Sequence, residues 1–481
     1  MKIFRKILGI SLLLSGMVVS GCKFAPIEKP EEEESENDDE NDGRRVVKFE
    51  VLKAGLGTEV YKNLEKAYEA SHPDVNIKCI FNYQINEEIG GRLDTNTNLA
   101  DIYSIRDLAT IRDYYILGKV RDLNDVYDSE IENGKTLRQM LDPEAVEYCE
   151  YNGHQLCVPE YVNVDGFVYN KKLFDQYHWE VPQTTEQMLA LANQIVASRI
   201  PSPSKPGEII RPFVYCGNDA DGYMYYLLNS INASYKGLAN MKEFLKYETP
   251  EIFAPANNKG KLHALECLKT WFVDDNPYIY DGSLGLKSMP AQHALLAGDA
   301  VMMLNGSWFE NEMQEFLDEN DDIAMMRVPE YSEGGVVKHE EGYTTVDGKK
   351  LLQSEYTANY FIPTNAKNPD DAIDFLKFIS RSDMCELYTK TCNSVRPFAY
   401  NKDPNSTTYS GMSNFGKSVL NIANTNYLYV PSSKSELALK GKISLWPNPG
   451  DNYHYKALLK NKEAPEDCLS REYEFAKAAM A

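Results

Sequence analysis

Basic residues and histidine are scarce in this sequence. Its 481 residues contain 50 lysines and arginines against 72 aspartates and glutamates, which gives a formal net charge of −22, and only seven histidines. Nucleic acids and anionic membrane surfaces bind proteins through basic patches, so the charge argues against both as partners. The cysteine and histidine spacings match no zinc site, and we expect neither a metal nor a cofactor.

Catalytic signatures are missing as well. The sequence contains neither the Gly-x-Ser-x-Gly elbow of many hydrolases nor the His-Glu-x-x-His motif of zinc proteases. A glycoside hydrolase needs two carboxylates roughly 5 to 10 Å apart in a cleft. Acidic residues abound, but none lies in a recognisable catalytic motif. We therefore expect a protein that is not an enzyme, and an exported glycoside hydrolase is the less favoured alternative.

A single long apolar run stands at the N-terminus. It covers residues 7–19, follows three basic residues and ends in small residues before Cys22. The run is shorter than the roughly 20 residues that a membrane span needs, and its flanks are typical of a secretory signal. It resembles a bacterial lipobox, which implies a signal peptide over 1–21 and a lipid on Cys22. The mature protein would then be anchored to the outer face of the cytoplasmic membrane, at the cell surface or in the periplasm. A plain signal peptide or a membrane helix is the alternative.

An acidic segment follows the cysteine. Between Glu28 and Asp42 ten acidic residues face one lysine. Such a stretch cannot bury enough apolar surface to fold, so 22–45 is predicted to be a disordered tether. The composition of the whole chain, with 43% hydrophobic residues, is that of a globular protein. Its length suits two lobes of roughly 200 residues each.

The pattern after the tether alternates strand and helix. Residues 46–52 alternate apolar and polar side chains, and a helix follows with Val60, Leu64 and Tyr68 on one face. Thr58 is expected to cap that helix, and 75–81 is the next strand. Short connections between these elements favour a parallel strand pair, so we predict an α/β fold.

The stretch from Val158 to Phe174 is predicted to cross between two lobes. Two short apolar strands flank Asn163, Asp165 and Gly166, which pair poorly in the centre of a sheet. Polar residues at such a crossing point into the cleft between the lobes, where small ligands commonly bind. Further crossings are expected at 356–363 and 391–397. The first lobe is then 46–162 plus about 362–395, and the second lobe is 163–361 plus about 396–481.

Eight cysteines follow Cys22. Cys149 and Cys157 bracket an Asn-Gly pair that favours a hairpin turn, and Cys385 and Cys392 are similarly close in sequence. Disulfides are permitted outside the membrane. Each pair is therefore explained equally well as a disulfide or as two buried free thiols.

Two motifs resemble those of the bacterial extracellular solute-binding proteins of the maltose-binding type. The first is Val158-Pro159 followed by Tyr-Asn-Lys-Lys-Leu-Phe at 169–174, and the second runs from Gly298 through Met303 to Asn-Gly-Ser-Trp at 305–308. The resemblance implies a two-lobed α/β fold of the periplasmic-binding-protein type, with a hinge and a ligand cleft between the lobes. It also implies a lipoprotein that delivers its ligand to the permease subunits of an ABC importer. The sequence departs from the family at Thr184-Thr185, and the region after Tyr400 matches no family motif.

Loop ends of both lobes carry the candidate ligand-binding residues, several of them implied by the resemblance. They are Arg106 and Asp107 of the first lobe, Tyr161 and Asn163 at the first crossing, Asp219, Asp221 and Tyr223 of a second-lobe loop, Trp308 after its strand, Arg396 at the third crossing, and Trp446 of the C-terminal region.

Simpler roles stay open for these residues. Trp308 could instead pack in the core beneath a turn, and Arg106 with Asp107 could form a surface ion pair, which contributes little alone. The loop with Asp219 and Asp221 could be a solvated acidic turn, and the tryptophan of the C-terminal region a packed corner.

The predicted ligand is a sugar or an oligosaccharide. A sugar ring has an apolar face and a rim of hydroxyls, so its site needs an aromatic platform surrounded by hydrogen-bonding side chains. Trp308 supplies the platform by its position after a strand. The same fold binding a peptide or a polyamine is the alternative.

Overall fold

The structure is a computed structural model that describes residues 33–34, 43–53, 55–218, 223–445 and 455–481. The predicted signal peptide 1–21, Cys22 and most of the predicted tether 22–45 lie outside the described residues. No helix within the described ranges combines the length and the apolar character needed to cross a membrane.

Strands and helices alternate along the chain, as an α/β fold requires. The strands are β1 (Glu33–Glu34), β2 (Arg45–Leu52), β3 (Val75–Asn82), β4 (Ile102–Ile105), β5 (Glu130–Glu132), β6 (Lys135–Thr136), β7 (Glu150–Tyr151), β8 (His154–Gln155), β9 (Val158–Val162), β10 (Asp165–Asn170), β11 (Arg211–Val214), β12 (Ala300–Gly306), β13 (Ile323–Arg327), β14 (Ser332–Glu333), β15 (Val336–Val337), β16 (Lys350–Gln353), β17 (Tyr356–Phe361) and β18 (Asn426–Tyr429).

The helices are α1 (Glu59–Glu69), α2 (Ile85–Thr95), α3 (Leu108–Ile116), α4 (Asn124–Tyr127), α5 (Leu137–Met140), α6 (Pro143–Tyr148), α7 (Lys171–Tyr177), α8 (Thr185–Ser198), α9 (Met224–Phe244), α10 (Lys259–Phe272), α11 (Ser288–Leu296), α12 (Phe309–Glu312), α13 (Pro369–Ile379), α14 (Ser382–Cys392), α15 (Asn414–Thr425), α16 (Glu436–Leu439), α17 (Lys456–Leu459) and α18 (Pro465–Met480).

The first lobe is built on a six-stranded sheet in the order β1-β3-β2-β4-β17-β9. β2 pairs in parallel with β3 and β4, and β17 runs antiparallel to β4 and β9. The predicted parallel strand-helix-strand unit is therefore confirmed. Its helix α1 buries Val60, Leu64 and Tyr68 as the spacing predicts. Thr58 occupies the N-cap position but accepts no capping hydrogen bond, so its predicted capping role is wrong.

Glu33–Glu34 add a short antiparallel strand to the edge of this sheet, against β3. These two residues belong to the segment predicted to be a disordered tether. An edge strand exposes unpaired backbone N–H and C=O groups, which accept another strand whatever its side chains are. At these positions the backbone is paired, although the composition favours disorder.

The second lobe is built on a four-stranded sheet in the order β11-β12-β10-β13. β10 lies antiparallel to β12 and β13, and β11 lies parallel to β12. A Cβ atom on Gly166 would lie 2.2 Å from the carbonyl oxygen of Met326, so a glycine is required where β10 approaches β13. Thr184 opens α8 with a capping box to Gln187.

The chain passes between the lobes at two well-defined crossings. Asn163 and Val164 link β9 to β10, and Ser354 and Glu355 link β16 to β17. The two crossings are bonded together, because the backbone N–H of Asn163 donates to the carbonyl of Glu355 over 2.9 Å. They form the hinge between the lobes.

The observed lobe boundaries differ from the predicted ones. Residues 356–361 were assigned to the second lobe, but as β17 they fill the gap between β4 and β9 in the first sheet. Val395 pairs with Val162, and Phe398 pairs with Leu141, so the chain remains in the first lobe beyond 395. The third crossing therefore lies between 398 and α15, which packs on β13 of the second lobe.

All eight cysteines within the described residues are buried free thiols. Cys149 and Cys157 face each other at the end of the β7–β8 hairpin, with their Sγ atoms 3.3 Å apart. Cys385 and Cys392 both lie on α14. Seven residues of helix separate them by about 10 Å along the axis, which is too far for a disulfide. Pairing of Cys385 with Cys392 is therefore excluded.

Candidate functional site

A cavity of about 290 Å³ lies between the two lobes at the hinge. Residues from both lobes and from both crossings line it. They are Gly55, Arg106 and Tyr161 of the first lobe, Tyr223, Tyr226, Trp308 and Glu312 of the second lobe, Asn163 and Glu355 of the crossings, and Tyr356 and Thr357 at the start of β17. Five of the predicted site residues are among them: Arg106, Tyr161, Asn163, Tyr223 and Trp308.

Trp308 is positioned by the glycine two residues before it. A Cβ atom on Gly306 would lie 2.0 Å from Cζ3 of Trp308, so the indole rests directly on the backbone at the end of β12. The ring lies against Tyr223 and Tyr226, with centroid distances of 5.7 and 6.1 Å. Tyr223 and Tyr226 stack on each other at 5.4 Å. These three rings, called the aromatic wall below, form the second-lobe side of the cavity.

Arg106 supplies a cationic side chain from the first lobe. It follows β4, and its backbone is held on both sides: its N–H donates to Asn86 Oδ1 over 3.0 Å, and its carbonyl accepts from Asn359 Nδ2 over 3.2 Å. The side chain is exposed and lines the cavity. A fixed backbone with a solvated guanidinium suits a residue that contacts ligand hydroxyls or carboxylates.

The hinge contributes polar groups of opposite character. Asn163 donates from Nδ2 to Oε1 of Glu355 over 2.9 Å, and the hydroxyl of Tyr226 lies 3.5 Å from the same oxygen. The Oδ1 atom of Asn163 is buried and has no hydrogen-bond partner. Tyr161, in β9, is 6% exposed, and burial raises the pKa of its hydroxyl, so it stays a neutral donor.

Three carboxylates at or next to this cavity were not among the candidate ligand-binding residues, although Asp165 was named as a polar residue of the first crossing. Glu355 faces the cavity, and desolvation raises its pKa. Asp165 is 2% exposed, and burial, together with the nearby Glu355, raises its pKa well above the ordinary value. Glu312 lines the cavity and accepts a hydrogen bond from Gln292 Nε2 over 3.0 Å. None of the three lies in a motif. Only their positions, next to a predicted crossing or close to Trp308 in sequence, could have indicated a role at the cavity.

The lobes touch at this point. A Cβ atom on Gly55 of the first lobe would lie 3.0 Å from Oε1 of Glu312 and 3.1 Å from Cβ of Trp308 in the second lobe. Because Gly55 has no side chain, its loop can lie directly against α12.

Two lobes joined by a hinge, with an aromatic wall and polar groups facing across the gap, form a cleft that can enclose a small ligand. The sequence model of the bacterial extracellular solute-binding proteins matches residues 53–384. This chain belongs to that family. No curated protein sequence matches it significantly.

Solved structures share the fold of this solute-binding protein at low sequence identity. Unliganded RafE from Streptococcus pneumoniae has a TM-score of 0.65 and 17% identity, covering 91% of this chain and 99% of its own. The GacH receptor of Streptomyces glaucescens, studied unliganded and with acarbose, has a TM-score of 0.60 and 17% identity, covering 91% and 98%. An ABC substrate-binding protein from Listeria monocytogenes in complex with cycloalternan has a TM-score of 0.60 and 16% identity, covering 91% and 99%.

Asp107 has a structural role in this solute-binding protein. Its carboxylate accepts from the N–H of Ala109 over 2.9 Å and of Thr110 over 3.3 Å, which caps α3. It does not line the interlobe cavity. An N-terminal cap typically contributes about 1 kcal/mol, and this accounts for the aspartate at the position.

Arg396 is also placed away from the cavity. Its side chain is fully buried in the first lobe, and Nε donates to the carbonyl of Glu160 over 2.9 Å. Its guanidinium lies 4.5 Å from the ring centroid of Phe398 and 5.6 Å from that of Tyr360. Because Val395 pairs with Val162, the next side chain points into the lobe. The predicted ligand contact of Arg396 is therefore wrong.

Three other predicted residues, Asp219, Asp221 and Trp446, lie outside the described residues. Their roles in this solute-binding protein stay predictions.

A second cavity of about 730 Å³ adjoins the first and shares Arg106 with it. The start of α3, the β7–β8 hairpin and residues 432–439 of the C-terminal region line it. The C-terminal region, which matches no family motif in the sequence, thus forms part of a wall next to the interlobe site.

Proposed function

We propose that this solute-binding protein captures a sugar or an oligosaccharide between its lobes and delivers it to the membrane permease of an ABC importer. The observation that carries the proposal is the interlobe cavity, where the aromatic wall faces Arg106, Tyr161 and Asn163. Aromatic rings pack on the apolar face of a sugar, and the polar side chains meet its hydroxyl rim. Solved structures of the same fold that hold acarbose or cycloalternan support the sugar assignment.

The proposal includes a lipid anchor at Cys22 and removal of 1–21. A receptor tethered to the outer face of the membrane stays close to its permease, which raises the effective concentration of one for the other. Replacing Cys22 with Ser should release the protein into the medium or the periplasm. Membrane fractionation of cells that produce each form measures this release.

Binding without turnover is the proposed activity. A ligand should be recovered unchanged after long incubation with the protein. Chromatography of the glycan measures this. A shortened glycan would instead support the glycoside hydrolase, for which Glu312 and Glu355 would be the carboxylates to replace.

The direct test is a thermal-shift screen of the purified protein against monosaccharides and oligosaccharides, with peptides and polyamines on the same plate. A ligand that binds the native state raises the melting temperature by mass action. A shift with one glycan series supports the sugar assignment. A shift with a peptide or a polyamine alone keeps the fold and rejects the sugar.

Trp308→Ala should weaken binding of the ligand found in that screen by about 2 kcal/mol, because it removes the central ring of the aromatic wall. Calorimetric titration measures the loss. Phe316→Ala is the matched control, since Phe316 is an aromatic residue of the same lobe, 48% exposed and outside the cavity. Equal affinity of Trp308→Ala and the native protein would remove Trp308 from the site.

A further inference from the structure

The interlobe cavity has a surplus of negative charge. Glu312 and Glu355 line it, and Asp165 lies close enough to Glu355 for the two carboxyl groups to interact electrostatically. Among the described lining residues, Arg106 is the single lysine or arginine. A ligand that enters this cavity therefore meets the carboxyl groups of Glu312 and Glu355 and one guanidinium.

Two acceptor atoms at the first crossing lack hydrogen-bond partners. Asn163 is 1% exposed and lines the cavity, and its Oδ1 accepts no hydrogen bond. Asp165 is 2% exposed, and its Oδ1 has no partner either. The Nδ2 group of Asn163 already donates to Glu355. A buried acceptor without a partner costs free energy. Because Asn163 lines the cavity, a ligand group that lies against it should supply a donor.

The aromatic wall is suited to a cation. Trp308 has its ring centroid within 6.1 Å of Tyr223 and Tyr226, so three aromatic rings gather on one side of the cavity. The faces of aromatic rings attract positive charge, and tryptophan is the most favourable of them. The aromatic wall and the carboxylates therefore both attract a positively charged ligand group.

An ammonium group fits these features together. It carries three donors, no acceptor and a positive charge. A hydroxyl supplies one donor and brings two lone pairs toward the carboxylate oxygens. Charge-assisted hydrogen bonds to carboxylates are also roughly twice as strong as neutral ones.

We infer that the ligand of this cavity carries a protonated amine and is therefore an amino sugar with a free amino group. The inference rests on the proposed function, because that function supplies the sugar part of the ligand.

Matched sugar sets test the inference by calorimetric titration of the full protein. Each set holds the same sugar with an amine, with an acetylated amine and with a hydroxyl at one carbon: glucosamine, N-acetylglucosamine and glucose; the galactose counterparts; and the β-1,4-linked oligomers of the glucose set. In whichever set binds, the sugar with the amine should have an affinity at least about tenfold higher than the other two members.

The outcomes separate the inference from the function on which it rests. An acetylated or hydroxyl member that binds as tightly as the amine, or more tightly, overturns the inference and leaves the sugar receptor standing. If no member of any set binds while another sugar of the thermal-shift screen does, the inference alone is overturned. Failure of every sugar in that screen removes both.

Variants that each remove one negative charge show which carboxylates bind the amine. Glu355→Gln and Glu312→Gln keep the side-chain shape and remove one negative charge each. Either should weaken the amine member about tenfold or more and change the hydroxyl member by less than about twofold. Glu315→Gln is the control, because Glu315 is exposed in the same lobe and lies outside the cavity lining. Equal losses for amine and hydroxyl members would assign the glutamates to ordinary hydroxyl binding and overturn the inference.

The pH profile provides an independent readout. An ammonium group is attracted to an ionised carboxylate, so its affinity should fall as the pH drops through the raised pKa of Glu355, at a higher pH than for a free glutamate. Asp165 and Glu312 titrate in the same direction.

The other titratable groups around the cavity do not interfere with this profile. Burial raises the pKa values of Tyr161, Tyr223, Tyr226 and Tyr356, so these hydroxyls stay neutral. Affinity for the acetylated and hydroxyl members should therefore be flat over the same range. A flat profile for the amine member would contradict the inference.

Discussion

Single residues at the interlobe cavity show what a sequence reveals about a site and what it hides. Trp308, Tyr161 and Asn163 stand next to strand ends in recognisable motifs, and the structure brings all three to one cavity. Their contact with ligand stays a prediction. Glu355 was missed, because apart from its position next to a predicted crossing nothing local distinguishes it from a surface glutamate. Arg396 was misplaced because its burial depends on pairing between residues 233 positions apart, Val395 with Val162.

Gly306→Ala should displace the indole of Trp308, because the new Cβ would lie 2.0 Å from Cζ3 of that ring. Overpacking of this kind costs about 1 to 3 kcal/mol of stability, and ligand affinity should fall with it. Chemical denaturation and calorimetric titration measure the two effects. Gly285→Ala is the control, since a Cβ there meets nothing within 4 Å. Similar behaviour of both variants would show that the ring does not depend on Gly306.

Asp165→Asn should stabilise the protein at neutral and alkaline pH. Burial raises the pKa of Asp165 in the folded state, so the folded protein binds its proton more tightly than the unfolded chain. Stability from this group is therefore present at low pH and is lost as the pH rises from about 4 through the raised pKa. The variant removes that loss. Its free energy of unfolding, taken from thermal melts between pH 4 and pH 9, should therefore fall less with rising pH than that of the native protein. A native profile that is already flat would contradict the prediction.

The elements were predictable to different degrees. A helix with a strong apolar face, such as α1, was found because burial follows the 3.6-residue period. The position of β17 was not found, because strand order depends on partners distant in the chain. The sequence of 356–361 is compatible with either sheet, and the vacant edges of β4 and β9 decide which one it joins.

The β7–β8 hairpin should accept a disulfide between Cys149 and Cys157. The turn is formed by Asn152 and Gly153, both at positive φ, and it brings the two Sγ atoms to 3.3 Å. Oxidised glutathione would take up the two thiol hydrogens as two molecules of reduced glutathione. Burial raises the pKa of Cys157, so the reaction should be slow. Closing this short loop should stabilise the protein by about 2 to 3 kcal/mol.

Alkylation of the denatured protein followed by mass spectrometry checks the disulfide. Of the eight thiols that follow Cys22, six should react after oxidation. Cys385 and Cys392 are the internal control, because their places on one helix keep both free. Eight reactive thiols would contradict the prediction.

The two lobes of the molecule close around the site where residues without bulky side chains let them approach. Gly55 is the clearest example. Gly55→Leu should hold the lobes apart, because even a Cβ would lie 3.0 Å from Glu312. Ligand affinity should fall about tenfold or more, since the closed form becomes less populated. Solution scattering with saturating ligand should give a larger radius of gyration than for the native protein. Gly91→Leu, in α2 of the same lobe, is the control because a Cβ there meets nothing within 4 Å.

The strand order of the first lobe also has a consequence for biosynthesis. β17 lies between β4 and β9, so the sheet has a gap until residue 361 has left the ribosome. About two hundred residues of the second lobe are synthesised before that gap can be filled. The first lobe therefore cannot complete its folding while most of the chain is still being made. A chain that stays unfolded this long is well suited to threading through a secretion channel.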